Sequence, residues 1–233
     1  MIPAVASRSF FELTLAEWLD ELAGARAAPG GGSALAVAVA NAAAVLAMAA
    51  RVSDSGGHAA QAEALRARIA PLAQLDAEIY EAALAVRDAS RDMKDEQRDW
   101  RIGQAFSRAA EPPLEIARAA LDVAELAEEL ATSGSPAIRA DAIAAASLAA
   151  GAAQGCVAMV EVNLTALETD PRIAEARRST PASTSWAIPS GLAWPRAAEA
   201  TSRASPRPSA ARRGRRSARR SGAGSSTVAA GRT

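Results

Sequence analysis

Through the first 178 residues, apolar positions recur at spacings of three and four, and no convincing strand pattern appears. That period belongs to helices. Thr14-Leu15-Ala16-Glu17 fits a capping box, so a first helix is expected over 15–24. Pro29-Gly30-Gly31-Gly32-Ser33 reads as a loop, followed by a helix from Ser33 or Ala34 to 52. Ser53-Asp54-Ser55-Gly56-Gly57 breaks that helix, and a third is expected over 58–90, kinked at Pro71. A fourth begins near 95 and is divided by Pro112-Pro113, its second part ending near Ala131. Ser135-Pro136 supplies an N-cap and a first-turn proline for a fifth helix to 168, and a short sixth follows Asp170-Pro171. The expected fold class is therefore all-α, an antiparallel bundle of five or six long helices.

Two of these helices lack a polar face. Ala34–Ala50 and Ala142–Val160 carry no formal charge, but they are built of alanine, glycine and serine, with Asn41 and Gln154 inside them. A membrane span needs a more strongly apolar run, so helices packed tightly inside a bundle fit better. A domain of this size hides one such helix easily. Hiding two points to a partner subunit.

Composition sharpens the picture. Only 3% of the residues are aromatic and alanine dominates, which disfavours β-structure. One cysteine rules out a disulfide framework, and one cysteine with one histidine argues against a zinc site. Glu12, Glu17 and Asp20 interrupt any secretion signal. The formal net charge is zero but unevenly spread. Residues 1–175 hold 14 basic and 25 acidic residues, while 176–233 hold 12 arginines and one glutamate. The chain thus divides into a folded acidic domain, 1–178, and a basic Arg/Ser/Pro-rich segment, 179–233, too poor in apolar residues to fold. Its run Arg212–Arg220 has three readings: a solvated tail, the product of a shifted reading frame, or an electrostatic nucleic-acid contact.

Few residues stand out as chemistry. Glycines entering a helix leave backbone N–H groups at its positive end, where an anion or polarised carbonyl is welcome. No lysine follows, so this is not a Walker loop. Asp76 lies in the apolar stripe Leu65, Ile69, Leu72, Ile79, Ala83. A carboxylate there must be paired or hydrogen-bonded, and its pKa perturbed, or it caps a neighbouring helix. Asp141 shares a face with Ile138, Ala145 and Leu148, near the start of the fifth helix, where a dipole alone explains an acid. Asn41 and Asn163 are further polar residues in apolar settings. His58 reads as a solvated loop histidine, which leaves no Ser–His–acid arrangement, and Cys156 as a small buried hydrophobe.

Together these segments resemble the cyclodeaminase/cyclohydrolase family. Pro29-Gly30-Gly31-Gly32-Ser33 opening an alanine-rich helix is similar to its signature. Leu75-Asp76-Ala77-Glu78-Ile79-Tyr80, Glu111-Pro112-Pro113-Leu114-Glu115-Ile116-Ala117, Arg139-Ala140-Asp141 and Val162-Asn163-Leu164 match further family segments in order, over residues 12–177. The stretch Val52–His58 departs from the family, which carries a basic residue and an aromatic there. The resemblance implies a homodimeric tetrahydrofolate one-carbon enzyme, a methenyltetrahydrofolate cyclohydrolase or formiminotetrahydrofolate cyclodeaminase, with no metal or cofactor and folate sites near the subunit interface. It implies Asp76 and Asp141 as catalytic carboxylates. Pro29, Gly30, Gly31, Gly32, Ser33, Asn41 and Asn163 would contact substrate. The expected location is cytoplasmic, off the membrane, with nucleic acid a partner only through the basic segment. A non-catalytic helical dimer that has lost the folate site is the rival reading.

Overall fold

A computed structural model describes residues 8–165 and 169–181, all within one compact unit. The basic segment lies outside the described residues, apart from its first few positions. The described residues form a 3₁₀ turn, Phe10–Glu12, and then helices only. These are α1 (Leu15–Leu22), α2 (Gly31–Val52), α3 (Gly56–Ala89), α4 (Asp95–Ala109), α5 (Glu111–Ser133), α6 (Arg139–Asn163, after a 3₁₀ turn Pro136–Ile138) and α7 (Pro171–Arg178). The all-α bundle holds.

Local chemistry sets the boundaries. Thr14 and Glu17 close the capping box of α1: Thr14 Oγ1 accepts from the Glu17 N–H and Glu17 Oε2 from the Thr14 N–H. α2 starts earlier than the glycines suggest, taking in Gly31 and Gly32. α3 runs unbroken through Pro71. The double proline does divide the fourth and fifth helices, at Ala110. Because Pro113 has no N–H, it cannot bond the Ala109 carbonyl one turn back. Asn163 Nδ2 donates to that carbonyl instead, at 2.8 Å.

α2, α3, α5 and α6 share the core. Leu46, Ile69, Ile116, Val123 and Leu130 are fully buried there among many alanines. Small side chains let the helices approach closely: a Cβ on Gly155 of α6 would lie 2.9 Å from both Leu35 methyls of α2. α7 closes one end through Arg172, whose guanidinium donates to the Ser107 carbonyl (2.8 Å), Ser107 Oγ (2.7 Å), Glu111 (2.5 Å) and Asp170 (2.8 Å). At the other end His58 opens α3 rather than standing in solvent. Its Nδ1 lies 2.6 Å from Ser55 Oγ and its Nε2 lies 3.5 Å from a Glu129 carboxylate oxygen on α5.

α2 and the Pro136–Asn163 stretch that contains α6 are each long and apolar enough to cross a membrane. In the bundle, 56% of the apolar window of α2 is buried and 39% of that of the second stretch. Both therefore keep apolar surface facing outward.

Candidate functional site

A cleft of about 220 Å³ opens where the start of α2 meets the middle of α3 and the end of α6. Ala27, Ala28, Gly30, Gly31 and Gly32 form one wall, Asp76 and Tyr80 another, and Met159, Val162 and Asn163 the third. Pro29, joined to Ala28 by a cis peptide bond, is buried behind the first wall.

The sequence dictates why Asp76 and the glycines meet. α2 has no side-chain cap of its own, and its first intrahelical bond runs from the Ala34 N–H to the Gly30 carbonyl. The N–H groups before Ala34 are left without a partner in their own helix. Asp76, two-thirds of the way along α3, faces that uncapped turn. Ser33 is completely buried, and its Oγ donates to Asp76 Oδ2 at 3.2 Å. Burial pushes the Asp76 carboxyl above its usual range, and hydrogen bonding to Ser33 pulls it part of the way back. One carboxylate thus closes a helix terminus and lines a cleft.

This arrangement has no room for a side chain at position 32. A Cβ there would lie 2.5 Å from the Asp76 carboxyl carbon. A Cβ on Gly31 would meet the Met159 methyl at 2.7 Å, but that is the end of a flexible side chain. Gly32 is therefore the glycine that the site requires. Cys156, fully buried and close enough to feel the Asp76 charge, has its thiol pushed up to about 12, chiefly by burial.

Of the sequence-predicted residues, Gly30, Gly31, Gly32, Asp76 and Asn163 come together at the cleft. Ser33 is spent on Asp76 rather than facing the cavity. Asn163 is tied to Ala109 and so fixes the corner between α4 and α5 beside the cleft. Asn41 lies elsewhere, exposed along α2. Asp141 also stands apart, in the first turn of α6. At 1.5 Å per residue it is roughly 27–33 Å from the part of α6 that lines the cleft. Tyr80 and Met159 are additions. Tyr80 follows Asp76 by four residues, one helical turn, which is a readable signal. It stacks edge-on against Phe106 of α4, with centroids 6.1 Å apart. Met159 gives no such signal, because its place depends on how α6 lies against α2. Among the described residues, no group of three His, Cys, Asp or Glu side chains is placed to hold a metal ion.

The arrangement offers a half-buried acid of raised pKa, backbone donors at a helix start, and an aromatic ring. A family model for formiminotransferase-cyclodeaminase matches residues 14–182. Among solved structures, the chain is similar to formiminotetrahydrofolate cyclodeaminase from Thermotoga maritima. The TM-score is 0.63 at 23% identity, covering 73% of this chain and 87% of that one. No curated protein sequence matches.

Proposed function

The chain belongs to the formiminotransferase-cyclodeaminase family, and from that premise we propose that it is a tetrahydrofolate one-carbon enzyme with Asp76 as its acid–base group. One observation carries this reading: a single half-buried carboxylate opens into a cleft walled by the glycines that begin α2. The reaction proposed first is hydrolysis of 5,10-methenyltetrahydrofolate. Water attacks the cationic methenyl carbon, Asp76 Oδ1 takes the proton, and the ring opens to 10-formyltetrahydrofolate. The carboxylate also offsets the positive charge of the substrate. A pKa raised by burial suits a base that must accept a proton near neutral pH. Cyclodeamination uses the same group. There N10 closes on the formimino carbon, and Asp76 passes a proton to the departing ammonia. The uncapped N–H groups of α2 supply donors to a carbonyl or carboxylate of the substrate. The remaining elements of the proposal are a homodimer, no metal or other cofactor, and a cytoplasmic setting.

The test is the decay of 5,10-methenyltetrahydrofolate absorbance. Acceleration over the uncatalysed rate, lost in Asp76→Asn with helicity unchanged, supports the hydrolase. Ammonia release from 5-formiminotetrahydrofolate alone identifies the cyclodeaminase. Silence on both substrates overturns the enzyme in favour of a non-catalytic helical dimer.

A further inference from the structure

His58 is the chain's one histidine, and a side chain meets its ring at each nitrogen. Ser55 Oγ lies 2.6 Å from Nδ1, and Glu129 Oε2 of α5 lies 3.5 Å from Nε2. Read along the chain, this histidine has no acid to serve. The fold brings one from the end of α5. The turn between α2 and α3 is held there in part because the Ser135 N–H donates to Ser53 Oγ at 3.4 Å. A carboxylate beside Nε2 keeps the ring proton on that nitrogen and leaves Nδ1 as an acceptor. The Ser55 hydroxyl is then the donor in the 2.6 Å bond.

A serine that begins a helix ordinarily accepts a bond from an N–H group of the first turn. Ser55 is the N-cap of α3 and makes no such bond, so capping does not account for it. The first bond inside α3 runs from the Ala59 N–H to the Ser55 carbonyl. The N–H groups of Gly56 and Gly57 are left without a partner in their helix. A Cβ at either glycine would meet nothing within 4 Å, so the approach to those donors is open. The chain enters by a sharp turn: Asp54 has a φ of 53°, in the left-handed region, and the Ser55 N–H donates to the Ala50 carbonyl at 2.9 Å. His58 also lines a cavity of about 630 Å³ whose other wall is Glu125, Glu128, Glu129, Thr132 and Ser133 of α5. That volume is usual for a ligand site. Asp76 lies 21 residues beyond Ser55 along α3, roughly 30 Å away, so this is not the cleft described above.

We infer that Ser55, His58 and Glu129 form a serine-hydrolase site for carboxylic esters that carry a cationic group. Ser55 Oγ attacks the ester carbonyl carbon while His58 Nδ1 takes its proton. The Gly56 and Gly57 N–H groups receive the oxyanion. On collapse, the bond to the leaving oxygen breaks, and Nδ1 gives its proton to that oxygen. An alcohol departs and Ser55 is left acylated. Water then attacks the acyl carbon and gives a proton to Nδ1, which returns it to Ser55 Oγ as the carboxylic acid leaves. Glu129 is a positioning residue: it fixes the ring tautomer and offsets the charge of the imidazolium. Three carboxylates and no basic residue line the cavity, which favours a cationic ester over a neutral one. None of this chemistry rests on the folate reading.

The first experiment treats the full chain with a fluorophosphonate, whose phosphorus bonds to an activated serine oxygen as hydrogen fluoride leaves. The expected product is one adduct per chain, on the peptide containing Ser55, and none in Ser55→Ala. His58→Ala keeps the serine and should slow labelling about 100-fold or more. Glu129→Gln should slow it roughly five-fold, as an exposed charge pair allows. Circular dichroism should be the same for all variants. No adduct, an adduct confined to other serines, or equally fast labelling of His58→Ala overturns the site. The second experiment follows acid release at low ionic strength from acetylcholine and from its neutral isostere, 3,3-dimethylbutyl acetate. Both should turn over, and Ser55→Ala should abolish it. The cationic ester should have a several-fold higher kcat/KM, and Glu125→Gln/Glu128→Gln should shrink that preference. Turnover of neither ester, or equal turnover of both, overturns the substrate class.

Discussion

Gly32→Ala is the sharpest probe of how the cleft is built. The added Cβ would sit 2.5 Å from the Asp76 carboxyl carbon, and Ser33 is hydrogen-bonded to that same carboxylate. Either Asp76 changes rotamer and loses Ser33, or the start of α2 moves. Overpacking of this kind costs about 1–3 kcal/mol. Alanine in place of glycine in a helix returns about 0.5–1 kcal/mol. The net loss is then about 1 kcal/mol at mid-range and at most about 2.5 kcal/mol. For a domain of about 170 residues this lowers Tm by roughly 3 °C, and by at most about 7 °C. The assay is thermal unfolding by circular dichroism in a double-mutant cycle with Asp76→Ala. Once the carboxyl group is gone the clash disappears and only the helical preference for alanine is left. Gly32→Ala should then raise Tm, so the sign of its effect reverses between the two backgrounds. Gly31→Ala, which meets only the flexible Met159 methyl, should cost less than Gly32→Ala in the wild-type background. A Gly32→Ala variant as stable as wild type, or an effect that Asp76→Ala leaves unchanged, refutes the close approach as the reason for the glycine.

Three further outcomes follow from the same geometry. Asp76 titrates higher in the folded than in the unfolded chain, so as pH rises the unfolded chain ionises first and the folded form loses stability between the two values. Asp76→Asn should therefore gain stability relative to wild type as pH rises above about 4, measured by urea unfolding, and a pH-independent difference contradicts the burial penalty. Arg172→Met strips five hydrogen bonds that join α7 to Ser107, Glu111 and Asp170, and should cost about 1–3 kcal/mol in urea midpoints; an unchanged midpoint removes α7 as a stabilising element. Cys156, with its thiol pushed up to about 12, should resist a thiol-specific disulfide reagent at pH 8 until denaturant is added, and rapid labelling of the native protein contradicts its burial against Asp76.

What was legible in the sequence follows from what is local. The period of three and four, the capping box at Thr14 and Glu17, and the break at Pro112-Pro113 all depend on neighbours within a turn or two, and all three appear in the structure. Asp76 was conspicuous for the same reason, as a charge inside an apolar stripe. The limits of local reasoning lie in the glycines and in Asp141. Alone, Gly31 and Gly32 look like loop residues, and only a carboxylate 44 residues further on explains why the second of them is needed inside a helix. Asp141 stands on an apolar face much as Asp76 does, but a helical period does not record which end of the bundle a turn occupies. α6 is long enough to carry the two ends of its own sequence to opposite ends of the molecule.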